Sequence, residues 1–427
     1  MLSKAVHDFG TSVRIALYSH DTMGLGHIRR NLLIAEALAR SSLRASTLII
    51  AGIHEAGAFT MPRGGDCLTL PAYRKDRHGD YAPRSLSMPT TDLIALRSQV
   101  IGTALKNFAP DLFIVDNVPR GALGELTPVL EHMRDLGRTR CVLGLRDILD
   151  APERVLDQWQ RLDNEAAIRD HYEAVWVYGD PNIYDAIEEY AFPSDLAAKT
   201  TFTGYLDPTA RLIPSDSDTD LFACLPRDLR QKGFTLCMIG GGQDGLAVAQ
   251  AFAQADLPAD EYGVIVTGPF LPALQKQRLL ELVAGNPRIR VLEFLPEPMH
   301  LMRQARRVIA MGGYNTVQEI LCLGKPALLV PRDRPRHEQT IRAQRLRERG
   351  MLDFVAVQEC RPRTLSAWLH HVATAPLPAP RQTLDRDGLK RLPTLAATLI
   401  GGQPMYRNRT IPAPSTGWAG GRRYVAA

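Results

Sequence analysis

Residues 308–319 read VIAMGGYNTVQE. The apolar run predicts a strand, the glycine pair a tight turn, and the following pattern the start of a helix that carries Asn315, Thr316 and Glu319. Unpaired N–H groups and the helix dipole make a helix N-terminus attractive to anions, and glycines let a diphosphate approach the backbone closely. We therefore predict an anion site at this turn, with Glu319 one turn further along and within reach of hydroxyl groups attached to the phosphate.

A second apolar run, at residues 327–331, follows this helix and precedes a polar loop. The loop carries Arg334, Arg336, His337, Glu338 and Gln339. In open α/β sheets, ligands bind beyond the carboxyl ends of the strands. The loops after these two strands should therefore face the same crevice.

The order of these features carries a family resemblance. The glycine pair, Thr316, the dipeptide Gln318-Glu319, the segment LGKP at 323–326, Val330-Pro331 and the tripeptide HEQ at 337–339 succeed one another. This order resembles the donor half of family 28 glycosyltransferases, the group that contains the peptidoglycan N-acetylglucosaminyltransferase. It is also similar to plant and antibiotic glycosyltransferases of the two-domain GT-B fold. The resemblance is dense over residues 234–350, thinner before them and absent after about residue 399.

The length of 427 residues accommodates two domains, each with its own buried sheet. Strands and helices alternate on both sides of a polar segment, which predicts an α/β protein with two doubly wound Rossmann-like domains facing a cleft. We assign residues 1–211 to an acceptor-side domain, 212–232 to a hinge and 233–400 to a donor-binding domain. Residues 401–427 form a tail rich in Pro, Gly and Arg that is expected to be flexible.

Composition narrows the class of protein further. The chain is 45% hydrophobic and 23% charged, and a net charge of +5 is too small at this length to indicate nucleic acid as a partner. Its six cysteines include no CxxC pair, which is typical of reduced thiols in the cytoplasm. No apolar stretch is long enough for a membrane span. We expect a cytoplasmic protein, with peripheral contact at the inner face of the membrane left open.

A first glycine turn follows the strand predicted at residues 13–18. It contains Gly24 and Gly26 and ends in His27. A dinucleotide fingerprint would need a third glycine, and that glycine is missing. The turn resembles the acceptor-facing loop of GT-B enzymes, which implies that His27 is the general base that removes a proton from the acceptor hydroxyl. A binding role, or simple packing at the helix start, is the alternative, and His20 is a second candidate for the base.

Asp116 ends a strand predicted at residues 110–116. In plant-type GT-B enzymes an Asp at the matching place orients the catalytic His, so the resemblance makes Asp116 the partner of His27. Such a carboxylate fixes the imidazole tautomer and stabilises the imidazolium. The alternative is an Asp that caps the turn at residues 117–119.

Two further polar segments belong to the first half. Arg146 and Asp147 follow the strand at residues 141–145, where they could bind the acceptor or form an internal ion pair. The loop at residues 73–81 has mixed charge and two aromatic residues, and it could either contact the acceptor or form a solvated flap.

The second domain begins with a strand at residues 234–239 and a turn, residues 240–245, that holds four glycines. In the family this turn lines the cleft near the donor diphosphate, which implies that Gly241 and Gly242 bind phosphate and that Gln243 lies near the sugar. A purely structural turn is the alternative. The resemblance also implies that Phe294 and Leu295 hold the nucleotide base, although apolar residues are common at strand ends.

The resemblance implies transfer of a hexose or N-acetylhexosamine from a nucleotide-diphosphate sugar, UDP being the expected nucleotide, to an acceptor hydroxyl with inversion. Backbone amides of Gly241, Gly242, Gly312 and Gly313, with Asn315 and Thr316, would stabilise the leaving diphosphate without a metal or other cofactor. Glu319 would bind the ribose, and Glu338 and Gln339 the sugar hydroxyls. Glu338 departs from the two glutamines of the peptidoglycan enzyme, so the identity of the sugar is open.

Other functions compete with this interpretation. A sugar-nucleotide 2-epimerase of the same fold would consume donor without acceptor, and an inactive nucleotide-sugar-binding protein would bind without turnover. An NAD-dependent oxidoreductase is disfavoured because neither glycine turn has the full fingerprint. The aspartates at residues 215–220 lack the glycine of a calcium loop. The acceptor, whether glycan, lipid-linked or a small molecule, is not specified by the sequence.

Overall fold

The computed structural model describes residues 12–20, 24–75, 81–212, 229, 232–241, 244–295, 297–374 and 383–401. Several predicted features lie outside these residues. They are Gly242 and Gln243 of the glycine turn, most of the hinge and the tail after residue 401.

The first domain is built on a parallel sheet of seven strands. In chain order these are β1 Arg14–Ser19, β2 Ser46–Ala51, β3 Gly65–Thr69, β6 Leu112–Asp116, β7 Arg140–Arg146, β8 Ala174–Tyr178 and β9 Thr200–Phe202. Their order in the sheet is β3-β2-β1-β6-β7-β8-β9. Two short strands, β4 Tyr73–Lys75 and β5 Tyr81–Pro83, form an antiparallel pair outside this sheet.

The second domain has a parallel sheet of six strands. They are β10 Phe234–Met238, β11 Tyr262–Val266, β12 Ile289–Leu292, β13 Arg307–Ala310, β14 Ala327–Leu329 and β15 Asp353–Phe354. Their order is β12-β11-β10-β13-β14-β15. The strand order reverses between β1 and β6 in one sheet and between β10 and β13 in the other, and such switch points are where α/β sheets bind ligands.

The α-helices of the described segments connect these strands. They are α1 Gly26–Arg40, α2 Thr90–Phe108, α3 Thr127–Leu136, α4 Pro152–Arg161, α5 Asn164–His171, α6 Ala186–Glu189, α7 Ser194–Lys199, α8 Leu246–Ala253, α9 Ala273–Val283, α10 Met299–Gln304, α11 Tyr314–Cys322, α12 Glu338–Glu348, α13 Pro362–Thr374 and α14 Gly388–Gly401. None of them is long and apolar enough to cross a bilayer. The 3-10 turn Pro208–Leu212 follows the first sheet.

The sheets form because their strands are apolar on both faces. Every residue of β6 and β8 is buried, as expected for parallel strands covered by helices on each side. In α1 the apolar stripe that includes Ile28, Ile34 and Leu38 packs on the sheet. The two parallel sheets confirm the predicted α/β class with doubly wound domains.

The two domains are held in direct contact. The terminal helix α14 packs against α1 of the first domain, and a backbone bridge joins Leu206 to Asp387. A buried ion pair, Asp147 with Arg342, also joins the domains at an N–O distance of 2.6 Å. Helix packing, a backbone bridge and an ion pair therefore join the two domains.

Candidate functional site

The carboxyl ends of the two sheets meet where α1 approaches α11. The side-chain amide of Asn315, in the first turn of α11, donates a hydrogen bond of 2.9 Å to the backbone oxygen of Gly26 at the start of α1. The first glycine turn and the glycine-pair segment, predicted as separate loops, thus lie against each other.

His27, Asp116 and Arg30 form a compact polar cluster on the first domain. His27 Nδ1 lies 2.5 Å from Asp116 Oδ2, and Arg30 donates to both oxygens of Asp116 at 2.6 and 2.8 Å. Asp116 is only 1% exposed, whereas the His27 side chain remains 21% exposed. The structure thus brings together the two residues predicted as base and partner, and leaves the imidazole accessible.

Charge and burial both act on this cluster. Burial opposes ionisation of Asp116, but Arg30 and His27 outweigh it and hold the pKa of the carboxyl well below its ordinary value. Burial also lowers the pKa of His27, although Asp116 raises it in part. His27 is therefore neutral at physiological pH, which is the form that accepts a proton.

The direction of the His27 shift predicts a pH profile. A base with a lowered pKa stays unprotonated to lower pH, so the acidic limb of kcat/KM should lie below pH 6.5, the ordinary value for histidine. Initial rates measured from pH 4.5 to 8.5 in the wild-type protein would define this limb. A limb centred above pH 7 would contradict the assignment of His27 as the base.

The two glycines of the predicted anion turn, Gly312 and Gly313, have different surroundings. A Cβ atom at Gly312 would lie 2.9 Å from the backbone oxygen of Gln339, so the glycine is required there by the close approach of α12. The backbone oxygen of Gly312 accepts a hydrogen bond of 2.8 Å from Arg342. Gly312 is buried, whereas Gly313 is partly exposed and a Cβ atom there would meet no atom of the described residues within 4 Å.

Tyr314 directly follows the glycine pair and begins α11. Its side chain is 6% exposed and turns into the first domain, where its hydroxyl donates to the backbone oxygen of Tyr178 at 2.9 Å. The guanidinium carbons of Arg30 and Arg342 lie 5.6 and 5.8 Å from its ring centre. Tyr314 is therefore an interdomain packing residue.

The predicted phosphate donors Asn315 and Thr316 have different surroundings. The Asn315 amide is engaged with Gly26, so it contributes to domain contact in this state. Thr316 is half-buried on the first turn of α11. Thr316 therefore stays a candidate for the anion site, whereas Asn315 would have to exchange its partner.

Glu319 lies under two arginines that the sequence had not indicated. Its Oε1 accepts from Arg29 at 3.0 Å and from Arg211 at 3.5 Å, and both arginines also pair with Glu297. Glu319 is fully buried, and its Oε2 has no hydrogen-bond partner among the described residues. Burial raises the pKa of Glu319 although the arginines oppose the shift. Glu319 Oε2 is thus a buried acceptor without a donor in the described segments, and the assignment of Glu319 to the ribose stays a prediction.

Glu338 and Gln339 begin α12 and are both buried. Glu338 Oε1 accepts from Arg332 at 3.1 Å, and its Oε2 meets no donor in the described part of the chain. Burial opposes ionisation of Glu338, but Arg146 and Arg332 outweigh it and lower the pKa. Gln339 accepts a 3.3 Å bond from the backbone N–H of Arg332. One buried carboxylate oxygen of Glu338 thus has no donor among the described residues, and the assignment to the sugar stays a prediction.

The second glycine turn, residues 240–245, contacts the loop that contains Arg332. Gly241 is exposed, and Asp244 forms an ion pair of 2.7 Å with Arg332. A Cβ atom at Gly245 would lie 2.3 Å from Ile239, so this glycine is required for packing. The exposure of Gly241 is compatible with the diphosphate assignment, which stays a prediction, while the structure does not describe Gly242 or Gln243.

Phe294 and Leu295, the predicted base contacts, follow β12. Phe294 is 36% exposed, and Leu295 is half-buried against the core. A large apolar side chain left open at a strand end is compatible with stacking on a base, and this assignment stays a prediction.

The residues that sequence reasoning missed are mainly arginines. Arg29, Arg30 and Arg211 all contact predicted site carboxylates. Arg30 could have been found, because it follows His27 by three positions in a helix and therefore shares its face. Arg211 could not, because it lies far from Glu319 along the chain. Among residues included in the description, no cluster of His, Cys, Asp and Glu could hold a metal ion.

Comparison with solved structures defines the fold. The chain is similar to a glycotransferase of kitacinnamycin, with a TM-score of 0.55 and 17% identity, over 92% of this chain and 96% of that one. MurG of Acinetobacter baumannii gives a TM-score of 0.54 at 14% identity, over 90% and 99%. A putative UDP-N-acetylglucosamine 2-epimerase of Listeria monocytogenes gives 0.60 at 13% identity, over 91% and 96%. The architecture is that of GT-B glycosyltransferases.

Sequence comparison adds the family. Residues 235–392 match the glycosyltransferase family 28 C-terminal domain. A curated relative, the UDP-N-acetylglucosamine--N-acetylmuramyl-(pentapeptide) pyrophosphoryl-undecaprenol N-acetylglucosamine transferase of Rubrobacter xylanophilus, is 26% identical over 130 residues. That alignment spans 30% of this chain and 37% of the relative. Residues 235–392 thus resemble the C-terminal domain of family 28 glycosyltransferases within a GT-B fold, and the predicted resemblance is confirmed.

Proposed function

We propose that the protein transfers a hexose or N-acetylhexosamine from a nucleotide-diphosphate sugar to an acceptor hydroxyl. The observation that carries the proposal is the accessible His27–Asp116 pair, which lies beside the start of α11, the helix of the family 28 domain with the glycine pair. A base and an anion site face each other there, as an inverting displacement requires.

Each group has a role in this reaction. His27 takes the proton of the attacking hydroxyl, and Asp116 orients the imidazole and stabilises its protonated form. The amides of Gly313 and Gly241 stabilise charge on the leaving diphosphate, and fixed donors of this kind contribute about 3–4 kcal/mol each. Glu319 accepts from the ribose hydroxyls through its unpartnered oxygen.

We further propose UDP as the nucleotide, Phe294 and Leu295 as base contacts, and Glu338 and Gln339 as partners of the sugar hydroxyls. The names of the Rubrobacter relative and of the epimerase neighbours, all of which act on UDP-N-acetylglucosamine, support this choice. The relative's acceptor is a pyrophosphoryl-undecaprenol, which makes peripheral contact with the cytoplasmic face of a membrane part of the proposal.

A thermal-shift screen tests the donor site. UDP, GDP, dTDP, ADP and NAD would each be added to the purified protein, to Glu319→Gln and to the control Glu348→Gln, an exposed residue of the same domain. A hundredfold excess over Kd stabilises by about 2.7 kcal/mol, so binding of UDP should raise the Tm clearly. Glu319→Gln keeps the shape of the side chain and should bind about tenfold more weakly, because a hydrogen bond to a charged acceptor becomes a neutral one.

Two outcomes would count against the proposal. A protein that no nucleoside diphosphate stabilises has no donor site of this kind. If Glu319→Gln and Glu348→Gln responded to UDP like the wild type, Glu319 would have no part in binding the ribose.

A 2-epimerase is the second candidate function, since epimerase structures give TM-scores as high as 0.60. Such an enzyme would convert UDP-N-acetylglucosamine to its C2 epimer with no acceptor present. Proton NMR of UDP-N-acetylglucosamine incubated with the protein alone separates the two functions. A new anomeric signal would favour the epimerase, whereas an unchanged sugar would exclude it.

A further inference from the structure

Arg146 is a cation at the carboxyl end of β7, next to the proposed base. Asp116, the last residue of β6, is paired in register with Gly144, so Arg146 lies two residues further along the neighbouring strand. Its charge is close enough to act on the titration of His27. Arg146 therefore lies at the sheet edge where an acceptor hydroxyl would meet the imidazole.

The carboxylate beside Arg146 in the chain serves another residue. Asp147 accepts from Arg342 with both oxygens, at 2.6 and 2.8 Å. The Nε of Arg146 is buried and donates to no atom of the described residues, and no carboxylate in those segments lies within 4.0 Å of its guanidinium. The sequence allowed Arg146 and Asp147 either to bind the acceptor or to form an internal ion pair. Asp147 forms such an ion pair with Arg342, and Arg146 forms none with the described residues.

The surroundings of Arg146 are unfavourable to an isolated cation. Burial, together with the positive charges of Arg336, Arg342 and Arg30, lowers its pKa to about 10, although Glu338 opposes the shift. Arg336 belongs to the polar loop of the second domain, so two arginines of opposite domains approach each other. A half-buried cation among other cations is destabilising unless an anion joins it.

We propose that Arg146 binds an anionic group, a carboxylate or a phosphate ester, on the acceptor and so holds the acceptor beside His27. The inference rests on the proposed function and specifies the class of acceptor. Arg146 acts electrostatically on His27, and Glu338, assigned to the transferred sugar, acts on Arg146. A molecule that reaches both Arg146 and His27 occupies the acceptor position, and the guanidinium fork suits bidentate binding of either anion.

Inorganic phosphate is the probe for this site. Its effect on Tm would be measured at constant ionic strength with the protein saturated by UDP, so that the donor diphosphate site is already filled. The variants are Arg146→Gln, Arg146→Lys and the control Arg278→Gln, whose side chain is exposed on α9. The wild type and Arg278→Gln should show a saturable rise in Tm with phosphate.

The two variants at Arg146 should bind phosphate more weakly than the wild type, and to different degrees. Arg146→Gln should raise the Kd for phosphate tenfold or more, about the effect of losing one charge-assisted hydrogen bond. Arg146→Lys should fall between it and the wild type, because lysine keeps the charge but not the bidentate fork. Without phosphate, Arg146→Gln should have a Tm equal to or above that of the wild type, since it removes an unpaired buried charge.

Three results would overturn the inference. They are a wild type that phosphate does not stabilise, an Arg146→Gln variant with the wild-type response, and a phosphate effect that disappears when UDP is bound. The last would place the anion in the donor site. The Tm response to UDP is read separately in every variant, so a failure of the proposed function would be recognised by itself.

Discussion

Replacing His27 with alanine is expected to lower kcat by about 10²- to 10⁴-fold, the usual contribution of a positioned general base. The imidazole is accessible and neutral, and Asp116 holds one of its nitrogens. Its loss removes the proton acceptor but no group assigned to the donor, so the Kd for UDP should stay within about twofold. The rate of nucleoside diphosphate release, measured with a panel of sugar and lipid-linked acceptors, gives kcat.

The control is His54→Ala, because the His54 side chain is 70% exposed. It should keep the wild-type rate. If His27→Ala kept the wild-type rate, His27 would not be the general base. His20, whose ring centre lies 5.8 Å from that of His27, would then be the next candidate.

Replacing Asp147 with alanine is expected to lower the free energy of unfolding by about 3–5 kcal/mol, the range for breaking a buried ion pair at one partner. Asp147 and Arg342 are 1% and 0% exposed, so the remaining guanidinium would be left buried without its counterion. Arg342 also donates to the backbone oxygen of Gly312, which connects this loss to the glycine-pair segment.

Urea denaturation at pH 7 gives the free energy of unfolding. Asp135→Ala is the matched control, because Asp135 is 69% exposed in its pair with Arg134 and such surface pairs contribute about 1 kcal/mol at most. A loss below 1 kcal/mol in Asp147→Ala would show that water reaches Arg342 and that the domains are less tightly joined than the ion pair indicates.

The first prediction concerns the rate of the reaction, and the second concerns the stability of the contact between the domains. Asp116 ends β6, Asp147 follows the adjacent strand β7, and each pairs with a buried arginine, Arg30 and Arg342 respectively. The first pair positions an accessible histidine within one domain. The second joins the two domains. The same chemistry therefore serves the reaction in one place and the assembly of the cleft in the other.

Local sequence determined the fold class and much of the candidate site. The apolar runs before Asp116 and before the glycine pair specify buried parallel strands, and glycines after a strand specify a turn into a helix. Such patterns depend on residues a few positions apart. They were sufficient to predict two doubly wound domains. The resemblance to family 28 also depends on one continuous segment, and the match of residues 235–392 to the family 28 C-terminal domain confirms it.

Only the tertiary structure decided which polar groups have partners. Asn315 reaches Gly26 across 289 positions of the chain, and Tyr314 turns toward Tyr178 across 136. The sequence presents both as part of the anion turn, because a local pattern carries no information on which surface a distant domain will cover. The choice of Arg342 as partner of Asp147, which leaves Arg146 unpaired, is of the same kind. It follows from the close approach of the two domains, which brings Arg342 within hydrogen-bond distance of the buried Asp147 carboxylate.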